Sequence, residues 1–73
     1  MQPKYKAREV ESGDKLYTDS VEEIRAWLEQ WDEDTDGDFR VIIKVLNPEV
    51  GKYRYPTDAE YEYLNSATGY YNI

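Results

Sequence analysis

From residue 32 to residue 38 the chain reads Asp32-Glu33-Asp34-Thr35-Asp36-Gly37-Asp38. Carboxylates at alternate positions, followed by a glycine able to turn sharply, are chemistry for a hard divalent cation. Calcium takes six to eight oxygen ligands, and a loop with this spacing brings three carboxylates and the backbone carbonyl of Asp38 to one point. Asp32, Asp34, Asp36 and Asp38 are therefore candidate calcium ligands. The place where a bidentate glutamate would complete such a loop holds Ile43, so the affinity expected is weak, and a solvated acidic turn is the competing description.

The same acids also form a surface. Of the formal net charge of −7, residues 1–18 carry +1, 19–38 carry −8, 39–56 carry +3 and 57–73 carry −3. Nine acids against Arg25 alone make the 19–38 segment the strongest feature of the sequence. Spaced carboxylates on a rigid helix and loop can imitate a phosphate ladder and occupy a basic groove. Glu22, Glu29, Asp32, Asp34, Asp36 and Asp38 are candidate partner-binding residues on this basis, against the plainer use of acidic surface for solubility.

Tyrosine makes a second cluster: Tyr53 and Tyr55 flank Arg54, Tyr61 and Tyr63 flank Glu62, and Tyr70 and Tyr71 follow. In a strand, Tyr53 and Tyr55 share a face, and tyrosine presents a large rigid contact area with a polar end. These two are added as candidate contact residues, as in a structural module with tyrosine-rich protein contacts. A tyrosine-built core is the competing description. Stacking of single-stranded bases would need a basic groove, which no run of cations in the sequence provides.

Composition excludes much else. With no cysteine and no histidine among 73 residues, disulfides, thiolate or imidazole zinc sites, cysteine nucleophiles and histidine bases are ruled out. Paired carboxylates such as Asp34 and Asp36, or Glu60 and Glu62, lack the sheltered cleft that acid–base catalysis uses, so no enzyme is expected. A sequence pI near 4.4 disfavours direct contact with nucleic acid or anionic membrane and calls for a basic partner. No run of eighteen apolar residues occurs, and Met1-Gln2-Pro3-Lys4 is not the start of a signal peptide, so a cytoplasmic protein is expected.

The elements that must position these residues follow from periodicity. Residues 5–10 alternate, Glu11-Ser12-Gly13-Asp14 is turn chemistry, and residues 15–18 resume a strand, giving a hairpin. Ser20-Val21-Glu22-Glu23 is a capping box, and Val21, Ile24, Trp27, Leu28 and Trp31 then lie on one helical face. The following acids oppose the negative end of the helix dipole, which predicts a stop near Trp31 or Asp32. Phe39 to Leu46 reads as a central strand and residues 52–55 as its hairpin partner, ended by Pro56. Thr57-Asp58-Ala59-Glu60 is a second capping box, opening a short helix through Ala67 with Gly69 as its stop. Tyr70 to Ile73 is a tail, either extended or frayed. The fold class is α+β: one domain over residues 1–73, ββαββα, an antiparallel sheet of about four strands with the main helix covering one face.

The 32–38 segment resembles the first half of an EF-hand loop, over seven residues, with Phe39 at the hydrophobic position that follows. In size, acidity and mixed α/β character the whole chain resembles small phage or mobile-element inhibitors of the anti-CRISPR and anti-restriction kind. That resemblance rests on no motif, so it carries over no residue; it implies a cofactor-free DNA mimic that blocks a nucleic-acid groove.

Overall fold

The structure is a computed structural model and describes residues 2–70. Alternation along residues 5–9 and 41–47 makes two strands with one apolar side each: β1 (Tyr5–Glu9) and β3 (Val41–Asn47). They pair antiparallel at the centre of the sheet, Tyr5 opposite Val45, Ala7 opposite Ile43 and Glu9 opposite Val41. The turn at residues 10–14 returns the chain as β2 (Lys15–Thr18) on the outer side of β1, and β4 (Lys52–Arg54) pairs with β3. The order is β2-β1-β3-β4, antiparallel throughout.

Between the hairpins, α1 (Val21–Thr35) crosses one face of the sheet, and α2 (Asp58–Thr68) packs beside it in the same layer. Tyr5, Ala7, Val41, Ile43 and Val45 from the sheet close on Ile24 and Leu28 of α1 and Leu64 of α2, with Leu16, Val21, Trp27, Phe39 and Tyr70 sealing the edges. Aromatic rings do much of the sealing: Trp27 meets Trp31 and Phe39 meets Tyr70 edge-on, each pair 6.0 Å between centroids. Among the described residues no helix is long and apolar enough to cross a membrane.

Helix α1 runs past its expected stop at Trp31 or Asp32 and ends at Thr35. Trp31 and Thr35 are half-buried on the inward face, and the Thr35 hydroxyl donates to the Trp31 carbonyl at 2.6 Å. Packing of that last turn outweighs the unfavourable dipole, a contribution of only about 0.3–1 kcal/mol per charge. Asp36 then caps the helix in the left-handed region (φ 56°) and Gly37 follows at φ 84°. The first capping box is half formed: Ser20 Oγ accepts from the Glu23 amide, but Thr18 Oγ1 accepts from the Ser20 amide and donates to Glu23. The second is complete, with Thr57 and Glu60 each accepting the other's amide. Of the expected tail, Tyr71 to Ile73 lie outside the described residues.

Two carboxylates tie separate segments together. Glu9 is 2% exposed and accepts the amides of Ser12 at 2.7 Å and Arg40 at 3.2 Å, joining the first hairpin turn to the approach of β3. The Ser12 amide is the main reason its carboxyl is held below the usual range. Glu60 forms a two-pronged pair with Arg54 of β4, at 2.7 and 3.3 Å, and also accepts from the Thr57 amide. The Arg54 guanidinium, then that amide, lower its pKa from 4.5 to about 2.

Leu28→Ala, removing a side chain with no exposed surface, should cost roughly 2–5 kcal/mol in urea unfolding, whereas Glu22→Gln on the outer side of α1 should stay within about 0.5 kcal/mol. A Leu28 variant that unfolds like the parent would show that the core is held elsewhere. Because Glu9 and Glu60 titrate lower when folded, the unfolded chain binds their protons more readily. Their stabilisation is complete above the ordinary carboxyl value of 4.5 and drains away as pH falls below it, for Glu60 down to about 2. The melting temperature should therefore drop across that window, and Glu60→Gln should flatten part of the drop.

Candidate functional site

At about 100° per residue, helix α1 sorts its acids into a line and two flanks. Glu22, Glu29, Glu33 and Asp36 fall within an arc of about 60° on the side away from Ile24 and Leu28, and all four are exposed. Arg25 borders this line and pairs with Glu29 at 3.1 Å, both side chains more than half exposed; such pairs contribute little. Asp34 sits on one flank, accepting from the Gln30 amide at 2.9 Å. Asp32 sits on the other, 3.4 Å from the donating Tyr70 hydroxyl. Asp38 lies beyond the cap, its backbone N–H held by the Thr35 carbonyl. Of the six expected acids the structure thus aligns Glu22, Glu29 and Asp36, and it adds Glu33. The signal for Glu33 was its helical spacing from Glu29, legible only once the helix runs to Thr35.

The same extension takes the candidate calcium ligands Asp32 and Asp34 out of a loop. Asp32 and Asp34, expected in a loop, lie in the last turns of a helix where they point about 160° apart. With Asp36 on the cap and Asp38 beyond it, the four do not converge. Among the described residues no three acidic side chains are placed to hold a metal ion.

Among the described residues no helix covers the other face of the sheet. Strand alternation and register put Lys6 and Arg8 of β1, Lys15 and Tyr17 of β2, Ile42, Lys44 and Leu46 of β3, and Tyr53 of β4 on that open side. Four of these eight are cations, and none is an acid. Lys6, Arg8, Lys15, Ile42 and Lys44, with Tyr55 just beyond β4, line a concavity of about 230 Å³. A basic groove therefore exists, which the sequence did not reveal because its cations come from three separate strands.

Tyr53 and Tyr55 share this side, as expected, but differ in freedom. The Tyr53 hydroxyl donates to the Pro3 carbonyl at 2.7 Å, and its ring meets Tyr17 edge-on at 5.8 Å. Burial, then the negative influence of Tyr17 and Asp19, raises its pKa. Tyr55 is 63% exposed, and its ring carries the Lys44 ammonium at 4.8 Å; Tyr17, 47% exposed, has the Lys6 ammonium at 5.9 Å. Comparison with known proteins returned no matching family model, curated protein or solved structure.

Millimolar calcium should leave the amide resonances of residues 32–39 and the melting temperature where they were, since ligand linkage needs a site in the folded state. A saturable shift confined to those residues would restore the calcium loop.

Proposed function

We propose that this chain is a non-enzymatic, cytoplasmic binding protein whose acidic α1 surface engages a basic, nucleic-acid-binding surface of a larger protein. The action is inhibition by mimicry of nucleic acid, of the kind found in phage and mobile-element inhibitors. The observation that carries the proposal is where the acids sit. The last turn of α1 holds Asp32, Glu33 and Asp34, the cap is Asp36, and no basic residue lies in that turn. Carboxylates at this end of a helix oppose its dipole. In α2 the acids occupy the first turn, as Asp58 and Glu60, where the dipole favours them. Stability explains the second set and opposes the first. Local rules broken without structural gain are concentrated at functional sites.

Glu22, Glu29, Glu33 and Asp36 form the centre of the contact, with Asp32 and Asp34 on its flanks and Asp38 at its end. Their outward line and, among the described residues, the lack of salt-bridge partners apart from Arg25 leave them available to arginine and lysine on a partner. Such contacts speed association through long-range attraction and weaken as salt rises.

The test is capture from a nuclease-treated lysate, followed by binding kinetics with the captured protein. Glu22→Gln/Glu29→Gln/Glu33→Gln should weaken binding at least about tenfold, mainly through slower association. The same variant should stay within about 0.5 kcal/mol of the parent's stability, because relief of the Glu29–Glu33 repulsion offsets the loss of the Arg25–Glu29 pair and of Glu22 in the first turn. Asp58→Asn/Glu62→Gln raises the net charge by two, against three for the triple variant, and should have little effect on binding. Duplex DNA should displace the partner. A partner indifferent to salt and to the triple variant, but lost on Tyr55→Ala, would overturn the acidic surface as the interface.

A further inference from the structure

The open side of the sheet lies opposite the acidic layer and breaks a local rule of its own. Like charges directly opposite across an antiparallel pair are destabilising. Here Arg8 faces Lys15, and Lys6 faces Lys44. Among the described residues none of these four cations makes a salt bridge. They surround one concavity, with the exposed Tyr55 on its wall and the exposed ring of Tyr17 beside Lys6. Two abutting pairs of unneutralised cations, beside aromatic rings with exposed surface, are complementary to a ligand that is both anionic and planar.

We infer that this face is a binding site for single-stranded nucleic acid. The phosphates of the strand's backbone run past Lys6, Arg8, Lys15 and Lys44 around the concavity, about one to each cation, and adjacent unpaired bases stack on Tyr55 and Tyr17. Aromatic platforms beside a basic track are how single strands are held without sequence preference, because every base has a π-face. A duplex keeps its bases stacked on one another and offers nothing to these rings. The cations address phosphate and the rings address bases, so DNA and RNA strands are both ligands. The site is independent of the acidic α1 surface and does not rest on its role.

The test is fluorescence anisotropy of labelled oligothymidine and oligouridine of about 12 nucleotides, with a duplex of the same length as control. Both single strands should bind within a few-fold of each other, and the duplex should bind far more weakly. Four phosphate-facing cations give a slope of log affinity against log salt of about −3, so raising salt from about 50 to about 200 mM should weaken binding about 50-fold. Lys6→Gln/Lys15→Gln should halve the slope, while its melting temperature should equal or exceed the parent's because one cation of each opposed pair is gone. Tyr55→Ala should weaken binding about tenfold with the slope unchanged.

Three outcomes would overturn the inference. One is failure of both strands to bind at low salt. Another is equal binding of polyglutamate with no loss in Tyr55→Ala, which marks a generic polyanion patch. The third is concentration-dependent dimerisation that Lys6→Gln/Lys15→Gln abolishes while oligonucleotides do not compete, which makes a second copy's acidic helix the occupant.

Discussion

The register between β1 and β3 is the constraint on which the rest depends. Because strand side chains alternate, pairing Ala7 with Ile43 sends Tyr5, Ala7, Glu9, Val41, Ile43 and Val45 to the helices and leaves Lys6, Arg8, Ile42 and Lys44 outside. Slipping either strand by one residue would exchange its two sets and place ammonium groups under α1. The cost of burying unpaired charge far exceeds anything the sheet gains from a single ladder bond. One hydrophobic pattern therefore sets the core, the seat of both helices and the chemistry of the open face together. Glu9 is the polar member of the inward set, and its two backbone donors make its burial tolerable.

Much of this was legible in the chain. Period-two runs marked β1 and β3, and the Ser20 and Thr57 caps marked the starts of both helices within a residue. The apolar face of α1 was read correctly down to Leu28. These are local signals, each carried by residues a few positions apart. The end of α1 is not legible, because Trp31 and Thr35 are stabilised by packing that only the folded chain contains, while the acids that argue for a stop are a local and weaker effect. The same boundary governs the site residues: a loop at 32–38 brings the four aspartates into one turn, whereas a helix to Thr35 brings Glu33 into line with Glu29.

The basic face was illegible for a different reason. Lys6, Arg8 and Lys15 lie in the first hairpin and Lys44 lies far along the chain, so no window of sequence contains the group. The three in the hairpin are also balanced in their own segment by Glu9, Glu11 and Asp14. Folding removes that balance: Glu9 turns inward, and Glu11 and Asp14 lie at the hairpin turn. Segment charge summed along the chain thus described the acidic helix well, where neighbours in sequence are neighbours in space. It misdescribed the sheet, where neighbours in space are set by pairing.

A net charge of −7 would, in a structureless chain, decide against any polyanion. In this fold it decides little. The acids of α1 project from the far side of a helix, and a helix with its side chains is about 10–12 Å across. Physiological salt screens exposed charges beyond about 8 Å. A strand approaching the open sheet therefore meets Lys6, Arg8, Lys15 and Lys44 largely unmodified by Glu22 or Glu29, and a basic protein approaching α1 meets the acids largely unmodified by the lysines. At much lower salt the screening length exceeds the thickness of the domain, and each face is weakened by the other. The two-layer architecture separates opposite charges by one helix diameter, enough for two surfaces of opposite character to work on a single small domain under the conditions of a cell.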